Sequence, residues 1–348
     1  MSSSTRSVCF ALLQAQQTVA LLQRCQPLNM RRELARLQRA FREGTQTTPR
    51  FEYARVPRLD GLRSELAAFA ELASCGPWGE LLAERAAEIA NEAALVQTLG
   101  TPSFVIAAHR RYWQPHAAAM TEASVLVKTW LDSPRTTGSE GKLHRTDDRH
   151  DPESLLRRIE TLLGERRLPF RVQVISNLVP VAATGDGVIL IAEGRQLSAL
   201  ETARVAVHEV LAHALPRALA TAPLWQLGTA GAADEEEGRA LLIEQRHDLM
   251  GEERRFALAL RHLAAQALFD GASYVEVVRL LLDRGCASDQ AVMVTARVFR
   301  GGGLGREIVY LPALLRVSAG LRADPSLEQW LERGRVALHW APRLKVMG

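Results

Sequence analysis

Gly187-Val188-Ile189-Leu190-Ile191, then Ser198-Ala199-Leu200-Glu201, then Val207-His208-Glu209-Val210-Leu211-Ala212-His213-Ala214 form the stretch on which the reading of this chain turns. The first piece is a β-branched run behind a Gly-Asp-Gly turn, which reads as a strand. Ser198 with Glu201 three residues later is a capping box, so a helix opens there. Its apolar spacing carries it through His208 and His213 until Pro216 disturbs it. A short strand followed by a capped apolar helix bearing two histidines is the kernel of the fold.

Upstream, Phe170 to Ile175 alternates as a second strand, behind a helix beginning near Asp151-Pro152. From Val8 to Gly100 the apolar residues recur at helical spacing, as in Leu34, Leu37, Ala40 and Phe41 or Leu66, Phe69, Ala70 and Leu72, with Asp60 placed as an N-cap. The helical period returns from Asp234 to the end and is broken at Gly301-Gly302-Gly303. The expected architecture is predominantly helical α+β: an N-terminal helical region (1–132), a flexible connection of loop composition (133–151), and a domain with a short β-sheet carrying the histidine helix (152–348).

Composition narrows the class. The chain has 348 residues, of which 47% are hydrophobic and 24% charged, a globular profile that excludes a largely disordered protein. Its 43 basic against 39 acidic residues leave +4, too weak a field to imply nucleic acid as a partner. The four cysteines Cys9, Cys25, Cys75 and Cys286 form no CxxC pair, so neither a disulfide framework nor a zinc knuckle is expected. Gln14, Gln16 and Gln17 interrupt the N-terminal apolar stretch, which reads as a helix and not as a signal peptide. No window supplies about 18 uninterrupted apolar residues, so no membrane span is expected and a cytoplasmic location is the default.

His208, Glu209 and His213 are the parts of a zinc protease helix: two imidazole ligands, and a carboxylate to serve as general base on metal-bound water. A capped helix after a short strand is where thermolysin-type enzymes place such a motif. The familiar spacing between the histidines is four, however, and here it is five. In a regular α-helix five steps leave two side chains roughly 140° apart, too divergent for one ion. Shared ligation therefore requires a π-type bulge between them. A third ligand is needed as well, and the acidic run Asp234-Glu235-Glu236-Glu237 opens the next helix. Such a run also compensates a helix dipole, and the functional reading needs only one of these acids to point inward.

Further motifs accompany this helix. His208-Glu209-x-x-x-His213, Glu236-Glu237-Gly238-x-Ala240, Arg297-Val298-Phe299-Arg300-Gly301-Gly302 and Val309-Tyr310-Leu311 follow in order, with Pro27-Leu28-Asn29, Pro49-Arg50-Phe51-Glu52-Tyr53 and Leu99-Gly100-x-Pro102 upstream. This combination resembles the microtubule-associated tyrosine carboxypeptidase family, whose bacterial members are known as QEGLA-motif proteins. The chain departs from the family's common Gln-Glu-Gly-Leu-Ala at Glu236 and Arg239, and Arg306-Glu307 stands where Lys-Asp is usual.

The resemblance implies a zincin-like, gluzincin-type metallopeptidase core with Zn2+ as cofactor. His208, His213 and Glu237 would be the metal ligands and Glu209 the catalytic base. The implied reaction is removal of the C-terminal residue, aromatic and Tyr-like, from a peptide or protein. Tyr310, in a shared motif, is the candidate donor to the developing oxyanion. Arg297 and Arg300, three residues apart, are the candidates for binding the substrate's terminal carboxylate; the competing reading is that they brace the glycine loop or the acidic helix near Glu235. A di-iron carboxylate bundle needs Glu-x-x-His supplied twice, which the chain lacks. The remaining alternative is a catalytically silent member of the fold that binds or regulates, against which the intact Glu209 argues.

Overall fold

Ser198 and Glu201 close a capping box in which the serine accepts from the Glu201 amide and the glutamate accepts from the Ser198 amide, opening the helix Ala199–Val207. Strand β4 (Val188–Ala192) precedes it, and β2 (Arg171–Ile175) pairs with β4 in parallel while β3 (Ala182–Thr184) pairs with it antiparallel. The sheet order β2-β4-β3 leaves β3 on an edge. Two more short strands, β1 (Leu143–Arg145) and β5 (Gln196–Ser198), form an antiparallel pair. The strand expected from alternation corresponds to β2 and the one expected from the β-branched run to β4. The other three have only three residues each, too few for a period of two to be read from sequence.

The computed structural model describes residues 3–72, 77–134, 141–176 and 178–347. It is mostly helical with small sheets, an α+β protein. Cys75 and most of the polar stretch before Gly141 lie outside the described residues. Within the expected connection, residues 141–151 carry β1, whose His144 Nδ1 stands 2.7 Å from Asp151 Oδ2, and a turn after it. The chain divides into two compact units, residues 1–133 with 255–312 and residues 134–254 with 313–348. The grouping of 255–312 with the N-terminal helices has no signature in local periodicity.

In the second unit, Leu155, Ile159 and Leu163 of the helix Leu155–Glu165 and Ile189 and Ile191 of β4 pack with Val205, Ala206, Val210, Leu211 and Ala214. Each fully buried Leu, Ile or Val contributes about 1.5–3 kcal/mol. The histidine-bearing segment is thereby clamped on its apolar face. A close approach fixes its partner helix, Ala232–Arg246: a Cβ at Gly238 would lie 2.3 Å from the Ala313 carbonyl carbon and 2.5 Å from the Leu314 nitrogen. Only glycine lets these backbones meet.

The first unit is built from helices, among them Ser3–Val19, Met30–Arg42, Pro77–Gln97 and Ser288–Phe299. Asp60, expected as an N-cap, is the first helical residue of Asp60–Leu72 and accepts from Gln97 Nε2 at 2.7 Å. The scattered N-terminal motifs converge here. Asn29 spans to the Arg50 carbonyl and the Glu52 amide, and the Gly301 amide donates to Tyr53 Oη at 2.6 Å while its carbonyl accepts from Gly100. Gly301 has φ +76°, and a Cβ there would strike the Phe104 ring at 2.5 Å.

Candidate metal centre

From His208 to Ala214 the backbone is a π-helix, continuous with the α-helix before it. The expected departure from α geometry is therefore present, and i→i+5 bonding brings residues five apart onto one face. Two arginines satisfy carbonyls that this irregular stretch exposes. Pro216 has no N–H for the carbonyl four residues before it, and Ala212 O accepts instead from Arg239 at 2.6 Å. His213 O accepts from Arg217 at 2.8 Å. Sequence reading missed the role of Arg239.

On that face the Nε2 atoms of His208 and His213 stand 3.2 Å apart. Their Nδ1 atoms both turn toward carboxylates. His208 Nδ1 lies 2.7 Å from Glu244 Oε1, and His213 Nδ1 lies 3.1 Å from Glu236 Oε1 in a less well directed approach. A carboxylate only accepts, so the contact with Glu244 puts the hydrogen of His208 on Nδ1 and leaves its Nε2 lone pair facing His213.

Glu237 supplies the third donor: its Oε2 is 3.7 Å from His208 Nε2, and one ligand atom each from His208, His213 and Glu237 lies within 4.8 Å of the others. Among the described residues this is the one such cluster of three or more. Two imidazole nitrogens sharing a tetrahedral zinc ion stand about 3.3 Å apart, so the donor set fits that ion.

The electrostatics point the same way. Burial disfavours the His213 imidazolium, but Glu236, with Glu237 and Glu209 behind it, outweighs burial and holds its pKa above the usual value. Surroundings that favour a proton favour a metal cation. Burial likewise opposes the charge of Glu236, yet Arg217 and His213 keep its carboxyl well below the ordinary range. Arg217 Nη1 donates to it at 2.5 Å, and Arg335 lies 3.6 Å away. Glu236 thus lies between arginines and the Nδ1 side of His213, while its neighbour Glu237 lies toward His208 Nε2.

Glu209 is buried next to the pair, and its Oε2 accepts from Thr184 Oγ1 at 2.7 Å. Thr184 ends the edge strand β3, so the sheet holds one oxygen of this carboxylate. Nothing in the sequence singled Thr184 out, because its register beside the helix is a tertiary fact.

Tyr310, Arg297 and Arg300 belong to the first unit. Tyr310 opens the helix Tyr310–Ala323 and is buried, with the Arg306 guanidinium 6.0 Å from its ring centroid. Arg297 Nε donates to Glu307 at 2.6 Å, and Arg300 lies 3.8 Å from the same oxygen. Burial opposes the charge of Glu307, and these two arginines overcome it and lower its pKa. The carboxylate that the structure places against both guanidiniums is an internal one, consistent with bracing of the 300–309 loop.

The two-histidine, one-glutamate cluster thus lies beside a buried carboxylate on a strand-flanked helix of an α+β protein. A sequence model of the microtubule-associated tyrosine carboxypeptidase family matches residues 38–347, nearly the whole chain. The chain belongs to this family. No curated protein and no solved structure matches it. No helix among the described residues is long and apolar enough to cross a membrane.

Proposed function

We propose that this protein is a zinc-dependent metallocarboxypeptidase with a zincin-like core, acting on the C-terminal residue of a peptide or protein. The observation that carries the proposal is the pair of Nε2 atoms 3.2 Å apart with Glu237 beside them and the Glu209 carboxylate on the same segment. His208, His213 and Glu237 would hold the ion. When bound, zinc supplies a Lewis acid that polarises a carbonyl and makes water acidic near neutrality. Glu209 takes the proton from the attacking water on its carboxylate and delivers it to the departing amine. Thr184, bonded to one carboxylate oxygen, leaves the other for that transfer.

The family's description supports tyrosine as the residue released. Arg297 and Arg300 as the grip on the terminal carboxylate, and Tyr310 as a donor to the oxyanion, are carried by the family motifs alone. The test combines elemental analysis of the purified protein with mass spectrometry of peptides ending in tyrosine or in other residues. One zinc per chain and release of the terminal residue are expected, with Glu209→Gln keeping the metal and losing about 10²-fold or more in turnover. Stoichiometric zinc without release by the unaltered protein would leave a binding or regulatory role. Absence of zinc after reconstitution would remove the proposal.

A further inference from the structure

Glu244 stands outside every motif that marks the family in this sequence, yet its side chain is fully buried and bonded on both oxygens. Arg254 donates to Oε2 from Nε and to Oε1 from Nη2, both at 2.8 Å, and Arg204 lies 3.7 Å from Oε1. A buried carboxylate is costly unless paired, and this fork meets that need. The hydrogen bond from His208 Nδ1 to Oε1 at 2.7 Å is additional to it. Removing the imidazole would leave the ion pair intact, so the histidine contact is not required to keep the carboxylate buried.

The bond acts in the opposite direction. Oε1 can only accept, so His208 is held as the Nδ1–H tautomer with its Nε2 lone pair directed at His213 Nε2 and Glu237. Glu244 follows Glu237 by two helical turns on Ala232–Arg246, within about 20° of the same face. One rigid helix thus carries both the candidate ligand and the group that aims the opposing ring. Arg254, at the start of Glu252–Phe269, fixes the carboxylate in turn.

We infer that Glu244, anchored by Arg254, is the positioning residue for His208, setting its tautomer and ring direction for metal ligation. This rests on the metal-centre reading proposed above. Outer carboxylates of this kind are worth roughly 10–100-fold in metal affinity.

The experiment measures zinc affinity by chelator competition and the visible spectrum of the cobalt(II)-loaded protein. It compares the unaltered chain with two double variants, Glu244→Leu with Arg254→Leu and Glu244→Gln with Arg254→Leu. Both remove the buried ion pair together, so no uncompensated fork is left to unfold the protein, and the unfolding midpoints of the metal-free forms check that they are folded. The Leu/Leu variant is expected to lose roughly 10–100-fold in affinity and to show altered cobalt bands, while the Gln/Leu variant, whose amide oxygen still accepts from Nδ1, recovers most of that loss. A Leu/Leu variant that binds zinc within about twofold of the unaltered chain, with the same cobalt spectrum, overturns the inference and leaves the metal centre standing. A Gln/Leu variant as weak as the Leu/Leu variant overturns it too, since the aimed hydrogen bond would then not set affinity. If the unaltered chain binds no zinc, the metal-centre reading itself fails.

Discussion

His208 Nε2 and His213 Nε2 face each other across 3.2 Å although five residues separate the histidines, because the helix that bears them is a π-helix from His208 to Ala214. In an unbroken α-helix the same two rings would diverge by roughly 140°. A spacing that looks like a defective zinc motif is thus matched to a local backbone form, and that form is supported by Arg239 and Arg217 on the Ala212 and His213 carbonyls.

Glu236 and Glu237 should separate cleanly in a binding experiment. Glu237→Ala removes an oxygen that lies near both imidazoles and is expected to lower zinc affinity by at least about tenfold. Glu236→Gln keeps an oxygen toward Arg217 and should bind zinc close to the unaltered level. The reverse order in chelator competition would assign the ligand to Glu236.

Gly238→Ala should destabilise the second unit and disturb the metal centre together. The added methyl meets the backbone of Ala313 and Leu314 at 2.3–2.5 Å, so the helix Ala232–Arg246 must shift, and Glu237 shifts with it. Overpacking of this kind costs about 1–3 kcal/mol, readable as a lower denaturation midpoint. Unchanged stability would mean that the close approach relaxes freely.

Glu236 and Arg239, where the family commonly has Gln and Leu, are expected to be energetically coupled. Arg239 is buried and the Glu236 side chain is only 9% exposed, and the charge of Glu236 supports that of Arg239 against the cost of burial. A double-mutant cycle on the metal-free protein with Glu236→Gln and Arg239→Leu should give a coupling of about 0.5–3 kcal/mol. Additive effects would show that the two departures are independent.

His262 predicts an acid sensitivity unrelated to the metal. It is buried in the first unit, neither ring nitrogen has a hydrogen-bond partner among the described residues, and burial pulls its pKa down to about 4. The unfolded chain, at an ordinary histidine value of about 6.5, binds the proton first, so stability falls as pH drops from about 6.5 toward 4. The loss attributable to this residue at pH 5 is about 2 kcal/mol. His262→Leu should flatten the profile by that amount when denaturation midpoints at pH 7 and pH 5 are compared, and an unchanged slope would refute the assignment.

Local sequence determined the elements and their chemistry. The Ser198-Glu201 box, the β-branched run at Val188 to Ile191 and the His-Glu-x-x-x-His spacing act over a few residues through capping, pleat and helical period, so they are legible without a fold. The requirement for a bulge followed from the five-residue spacing. Tertiary structure decided which acid of the Asp234 to Glu237 run lies toward the Nε2 atoms, since adjacent helical residues differ by about 100° and the sequence does not state the helix's rotation. It alone brought Thr184 to Glu209, Glu244 to His208 and Glu307 to Arg297 and Arg300. It also showed why Gly238 must be glycine. Those relationships join residues from separate elements, and they are fixed by how buried faces pack, not by any local period.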